Sequence, residues 1–109
     1  MAVSKPIELI TATQAAQVEE SLGLLSAVAD PVRWTVLHHL AQHGETCVCD
    51  LQERVPVAAN LLSYHLKVLR EAGLVTTARR GRWVDYTLAE GAGDRLLAAL
   101  PVTGDRGRP

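Results

Sequence analysis

Cys47-Val48-Cys49 is the pair of residues with the most direct ligand chemistry, and the chain of 109 residues holds no other cysteine. The segment that follows Thr46 predicts a short helix, Cys47–Arg54, with Thr46 as its N-cap and Val55-Pro56 as its stop. Both thiols then lie in the first turn, where the positive dipole end and the free N–H groups favour thiolate, the form that binds soft ions. Residues i and i+2 of a regular helix point about 200° apart. A single ion held by both therefore requires a distorted first turn, and a disulfide between them is disfavoured. A Zn²⁺ or Cd²⁺ ion would recruit His43 or a carboxylate such as Asp50 beside the sulfurs. Left without a ligand, the pair is two small apolar residues. Cys47 and His43 have no third member, and no glycine loop shaped for phosphate accompanies them, so catalysis is not expected.

A second constellation lies in Ala58–Ala72. Asn60, Ser63, Tyr64, Lys67 and Glu71 recur on one helical face, with Leu62, Leu66 and Leu69 on another. Amide, hydroxyl, phenol and ammonium groups on one face can address phosphates and base edges, and the major groove, about 12 Å wide, admits one helix. His65 lies on the same helix and is counted with the DNA-facing set. Arg79, Arg80 and Arg82 cluster a little further on, at the tip of a β-hairpin, where they can reach phosphates or the minor groove.

These side chains need elements to hold them. Val18, Leu22, Leu25 and Ala29 predict a first helix over 13–29. Asp30-Pro31 caps and starts a second over 31–42, burying Val32, Val36 and Leu40 and ending near Gly44. The short Cys47–Arg54 helix, a turn and the Ala58–Ala72 helix then form a helix-turn-helix, left through Gly73. A hairpin follows, Val75–Arg79 and Arg82–Leu88 around an Arg80-Gly81 turn, and a last helix covers about Ala92–Leu100. The fold class is α+β and mainly helical: a winged helix-turn-helix with a two-stranded wing, between an arm over 1–12 and a tail over 101–109.

Composition agrees with this arrangement. The net charge of −1 is unevenly spread: residues 1–62 hold three Lys/Arg against seven Asp/Glu, residues 63–88 five against two. Positive charge is thus gathered in the quarter that carries the polar helix face and the wing. A hydrophobic fraction of 48% suits one folded domain. No apolar run approaches the roughly 20 residues that span a bilayer. MAVSKPIELI lacks the pattern of a signal peptide, so a cytoplasmic setting with reduced thiols is expected.

VADPVRWTVLHHL, ETCVCDL, LLSYHLKVLREAGLV and RRGRWVDYTL together resemble the successive motifs of the ArsR/SmtB family of metal-responsive repressors, over about Leu22–Leu88. The resemblance implies a homodimer joined through its first and last helices, operator DNA as partner, and an inducer that releases it. CVCDL is similar to the thiolate motif of arsenite-responsive members, which implies arsenite, or another thiophilic ion such as Zn or Cd, at Cys47 and Cys49. Those members place a third cysteine where this chain has Gln52. A trivalent arsenic would then take two thiolates and a water or small thiol. Family members also commonly carry Ser-Gln where Ala58-Ala59 stand here, which leaves Asn60 either to cap the helix or to read a base. A thiol-redox switch and a repressor without a ligand are the other readings of the same fold.

Overall fold

A computed structural model describes residues 11–101; most of the expected arm and tail lies outside them. Five helices and three strands follow one another among the described residues: α1 (Ala12–Val28), α2 (Pro31–His43), β1 (Thr46–Cys47), α3 (Val48–Arg54), α4 (Ala59–Glu71), β2 (Val75–Arg80), β3 (Trp83–Leu88) and α5 (Ala92–Ala99). The winged helix-turn-helix expected from the residues is present, α3 and α4 forming its helical pair and β2–β3 its wing.

Local chemistry explains most boundaries. Thr11 and Gln14 form a capping box at the start of α1. At α2, the Asp30 carboxylate accepts from the backbone N–H groups of Val32 and Arg33 at 2.8 and 3.0 Å, and Pro31 fills the first helical position. The end of α4 has Gly73 at φ 75°, with Gly73 N–H donating to the Arg70 carbonyl and Leu74 N–H to that of Leu69. That paired closure needs a left-handed residue, which glycine supplies without a Cβ penalty.

Two boundaries differ from expectation. Thr46 does not cap α3: its hydroxyl donates to the Gly44 carbonyl, and Thr46-Cys47 instead forms β1, paired antiparallel with β3. The sheet is therefore three-stranded, in the order β1-β3-β2, rather than a lone hairpin. The wing turn also moves by one residue. Arg80 pairs with Trp83, so Gly81-Arg82 make the two-residue loop, with Gly81 at φ 60°.

The core joins these pieces. Val36 and Leu40 of α2, Leu51 of α3, Leu62, Leu66 and Leu69 of α4, and Leu74, Val75 and Tyr86 of the sheet region form one buried cluster. Ala27, Leu24 and Val28 bring α1 onto it, which leaves Val18 and Leu22 of the predicted apolar face exposed. Among the described residues no helix is long and apolar enough to cross a membrane.

Candidate nucleic-acid interface and thiol pair

The polar face of α4 stands out from the core as its spacing predicts. Asn60, Ser63, Tyr64 and Lys67 are exposed, while Leu62, Leu66 and Leu69 opposite them are at most 1% exposed. Lys67 lies 3.9 Å from Glu71 in a solvated i, i+4 pair, weak enough for the ammonium to exchange its partner for a phosphate. Ala58 is the N-cap of α4 and no side chain caps it, so Asn60 is not spent on the backbone.

His65 is not part of that face. It is buried at 6% exposure, and its Nδ1 lies 2.8 Å from Arg33 Nη1 and 3.7 Å from Asp30 Oδ2. The expectation that it faces DNA is overturned by its position: Leu62, His65, Leu66 and Leu69 stand at i, i+3, i+4 and i+7 and share the buried stripe. Sequence spacing does not reveal Arg33 and Asp30, which receive it, because they lie more than thirty positions upstream.

The three wing arginines are differently engaged. Arg80 grips buried Asp85 with two N–H groups, Nη2 to Oδ1 at 3.0 Å and Nε to Oδ2. That fork holds the Asp85 carboxyl below the ordinary aspartate range and pushes the Arg80 guanidinium upward. Arg80 thus braces the hairpin rather than standing free for DNA. Arg79 reaches only the Gly81 carbonyl at 3.3 Å, and the Arg82 guanidinium rests 5.5 Å from the centre of the Trp83 ring. These two remain at the tip. The charge of Asp85 within the strand WVDYTL was the available signal for a partner, but only the register shows that it is Arg80.

The thiols are closer than a helix would allow. Cys47 is the N-cap of α3 with an extended backbone (φ −67°, ψ 145°), and Cys49 lies in the first turn. The Cα atoms are 5.2 Å apart, the sulfurs are joined as a disulfide, and Cys49 N–H donates to Cys47 Sγ at 3.3 Å. The expected divergence of about 200° assumed that both residues were helical. Because Cys47 belongs to β1, its side chain folds over the helix start and meets Cys49. Cys47 is half-buried and Cys49 exposed. Among the described residues no three His, Cys, Asp or Glu side chains converge, so neither His43 nor Asp50 completes a metal site with the pair. His43 stacks instead with His39, ring centres 4.5 Å apart, and His39 is held below the ordinary histidine value chiefly by burial and then by His43. Gln52, at the position of the third cysteine in related motifs, donates to the Val57 carbonyl at 2.7 Å and ties α3 to the turn before α4.

Comparison with known proteins gives this geometry a context. Residues 30–77 match the sequence model described as bacterial regulatory protein, arsR family. The chain is 43% identical over 72 residues to the arsenical resistance operon repressor of Bacillus subtilis, an alignment covering 66% of this chain and 69% of that one. It is 40% identical over 83 residues to the transcriptional repressor SmtB homolog of Synechocystis, covering 76% and 60%. The crystal structure of NolR from Sinorhizobium fredii superposes with a TM-score of 0.72 at 28% identity, over 92% of this chain and 97% of that one.

Proposed function

Because this chain belongs to the arsR family of bacterial regulatory proteins, we propose that it is a homodimeric repressor that releases operator DNA when a thiophilic ion, trivalent arsenic in particular, binds Cys47 and Cys49. The family is one of transcriptional regulators, not of enzymes. In this reading α4 enters the major groove, with Asn60, Ser63, Tyr64 and Lys67 facing the DNA, and Arg79 and Arg82 reach the flanking backbone from the wing. The dimer forms along α1 and α5, where Val18, Leu22, Leu25 and Leu100 line one apolar groove.

The observation that carries the inducer assignment is the convergence of the two thiols on the start of α3. Once reduced, they form a ready chelate for arsenic and supply two of its three ligands. Two As–S bonds replace two As–O bonds of arsenous acid, two water molecules leave, and the remaining hydroxyl or a small thiol completes the coordination, with no change of oxidation state. The site also suits release. Cys47 is laddered to β3 opposite Asp85, the residue that holds Arg80, and Gln52 links α3 to the turn that launches α4. A new bond geometry at the sulfurs therefore loads both the wing and the reading helix.

A second reading rests on the joined sulfurs themselves: a peroxide takes two electrons from the dithiol and is reduced to water or alcohol, the thiols lose their two protons, and one S–S bond forms. Zn²⁺ or Cd²⁺ would need His43 or Asp50 to move in. Adding arsenite, Cd²⁺, Zn²⁺ and peroxide separately to the reduced protein–DNA complex distinguishes these. Arsenite is expected to release the DNA, and Cys47→Ser/Cys49→Ser is expected to abolish that response. Release that persists in the double variant would refute the site, and no release by any of the four would leave a ligand-independent repressor.

A further inference from the structure

We propose that His65 is a positioning residue for DNA reading: its neutral ring, engaged by Arg33 beside Asp30, sets the orientation of α4 on the scaffold beneath it. This rests on α4 being the reading helix. His65 is the one polar side chain of α4 that the core encloses. An arginine can only donate, so the 2.8 Å contact from Arg33 Nη1 requires a lone pair on Nδ1 and puts the ring proton on Nε2. The same guanidinium donates through Nε to the Ala27 carbonyl at 2.6 Å, near the end of α1. The Asp30 carboxylate beside it caps α2 through the backbone N–H groups of Val32 and Arg33. One planar group, carried by the start of α2, thus meets two other helices: the end of α1 and the middle of α4.

The leucines flanking His65 attract without direction and permit α4 to roll or slide against the core. A hydrogen bond from a fixed fork to a ring nitrogen does not. Its effect reaches the DNA side directly, since the exposed Tyr64 ring meets the His65 ring edge-on with centres 5.1 Å apart. A shift of His65 moves Tyr64, and with it the register of Ser63 and Lys67 on the outer face.

The test uses a duplex selected by the wild-type protein from a random-sequence pool, with a scrambled duplex as control. His65→Asn keeps an acceptor close to the place of Nδ1; His65→Leu removes it while filling similar space. His65→Leu is expected to lose about tenfold in affinity for the selected duplex, the cost of one buried group left without its partner. Binding to the scrambled duplex, which depends on phosphate attraction, should not change, and His65→Asn should restore the selective binding. Arg33→Met removes the donor from the half-buried side and should match His65→Leu, with little added loss in the double variant; it carries the test alone if leucine at 65 prevents folding. The proposal is overturned if selective binding survives in His65→Leu or Arg33→Met, or if His65→Asn loses as much as His65→Leu. A wild-type protein that selects no duplex would instead refute α4 as the reading helix.

Discussion

Among the described residues, Asp30 and Asp85 are carboxylates whose surroundings make the folded state sensitive to acid. The backbone N–H of Arg33 is the main influence holding Asp30 below its ordinary value, and the Arg80 fork does the same for Asp85. A carboxyl depressed in the folded state contributes stability that is complete above the unfolded value, about 3.9. Below that pH the unfolded chain takes up protons first, so the contribution is lost as pH falls toward the folded values. His39, also depressed, acts earlier and in the same direction, because its unfolded form gains a proton near about pH 6.5 while the folded form stays neutral. Stability is therefore expected to decline in two stages on acidification. Asp30→Asn and Asp85→Asn should each flatten the second stage in urea titrations run between neutral and acid pH, and His39→Gln the first. Leu66, 1% exposed, tests packing instead: Leu66→Ala should cost about 3 kcal/mol in the same titrations.

The α4 helix begins without a side-chain cap at Ala58, whose extended backbone suits a capping residue. Ala58→Ser should therefore stabilise the protein by about 1 kcal/mol, read from chemical denaturation, without touching the exposed face that follows. The reach of the sequence is clearest at this scale. The leucine stripe of α4, the Asp30-Pro31 start of α2 and the Gly73 exit were legible because each carries a periodic or capping signature within a few residues. β1 was not, since two residues hold no periodicity and their strand character comes from a partner some forty positions away. That omission also misplaced the start of α3, and with it the angle between the thiols. His65 fell on the buried stripe by its own spacing, yet its polar chemistry drew it to the outer face; Arg33 and Asp30 supply the partners that make burial tolerable.

For the whole molecule, α1 and α5 show apolar side chains that the described residues leave exposed. Leu22 and Leu97 are 59% and 55% exposed, on the two helices that the proposed dimer would pair. Leu22→Glu is expected to shift the protein from dimer toward monomer in sedimentation velocity, and to weaken DNA binding with it, because two half-sites would no longer be held by one body. An unchanged sedimentation coefficient would place the dimer interface elsewhere. In the proposed complex the uneven charge would turn α4 and the wing tip toward the phosphates and the acidic first half away from them. Binding should therefore fall steeply with salt, and each cation that contacts a phosphate should account for part of that slope.

That slope is the most direct test of DNA recognition by α4 and the wing. Fluorescence anisotropy of a labelled duplex selected by the wild-type protein, titrated across salt concentrations with wild type, Lys67→Ala and Arg82→Ala, should show weaker binding for both variants. Each variant should also lower the slope of log affinity against log salt by about 1. Affinity and slope unchanged from wild type in both variants would contradict the interface.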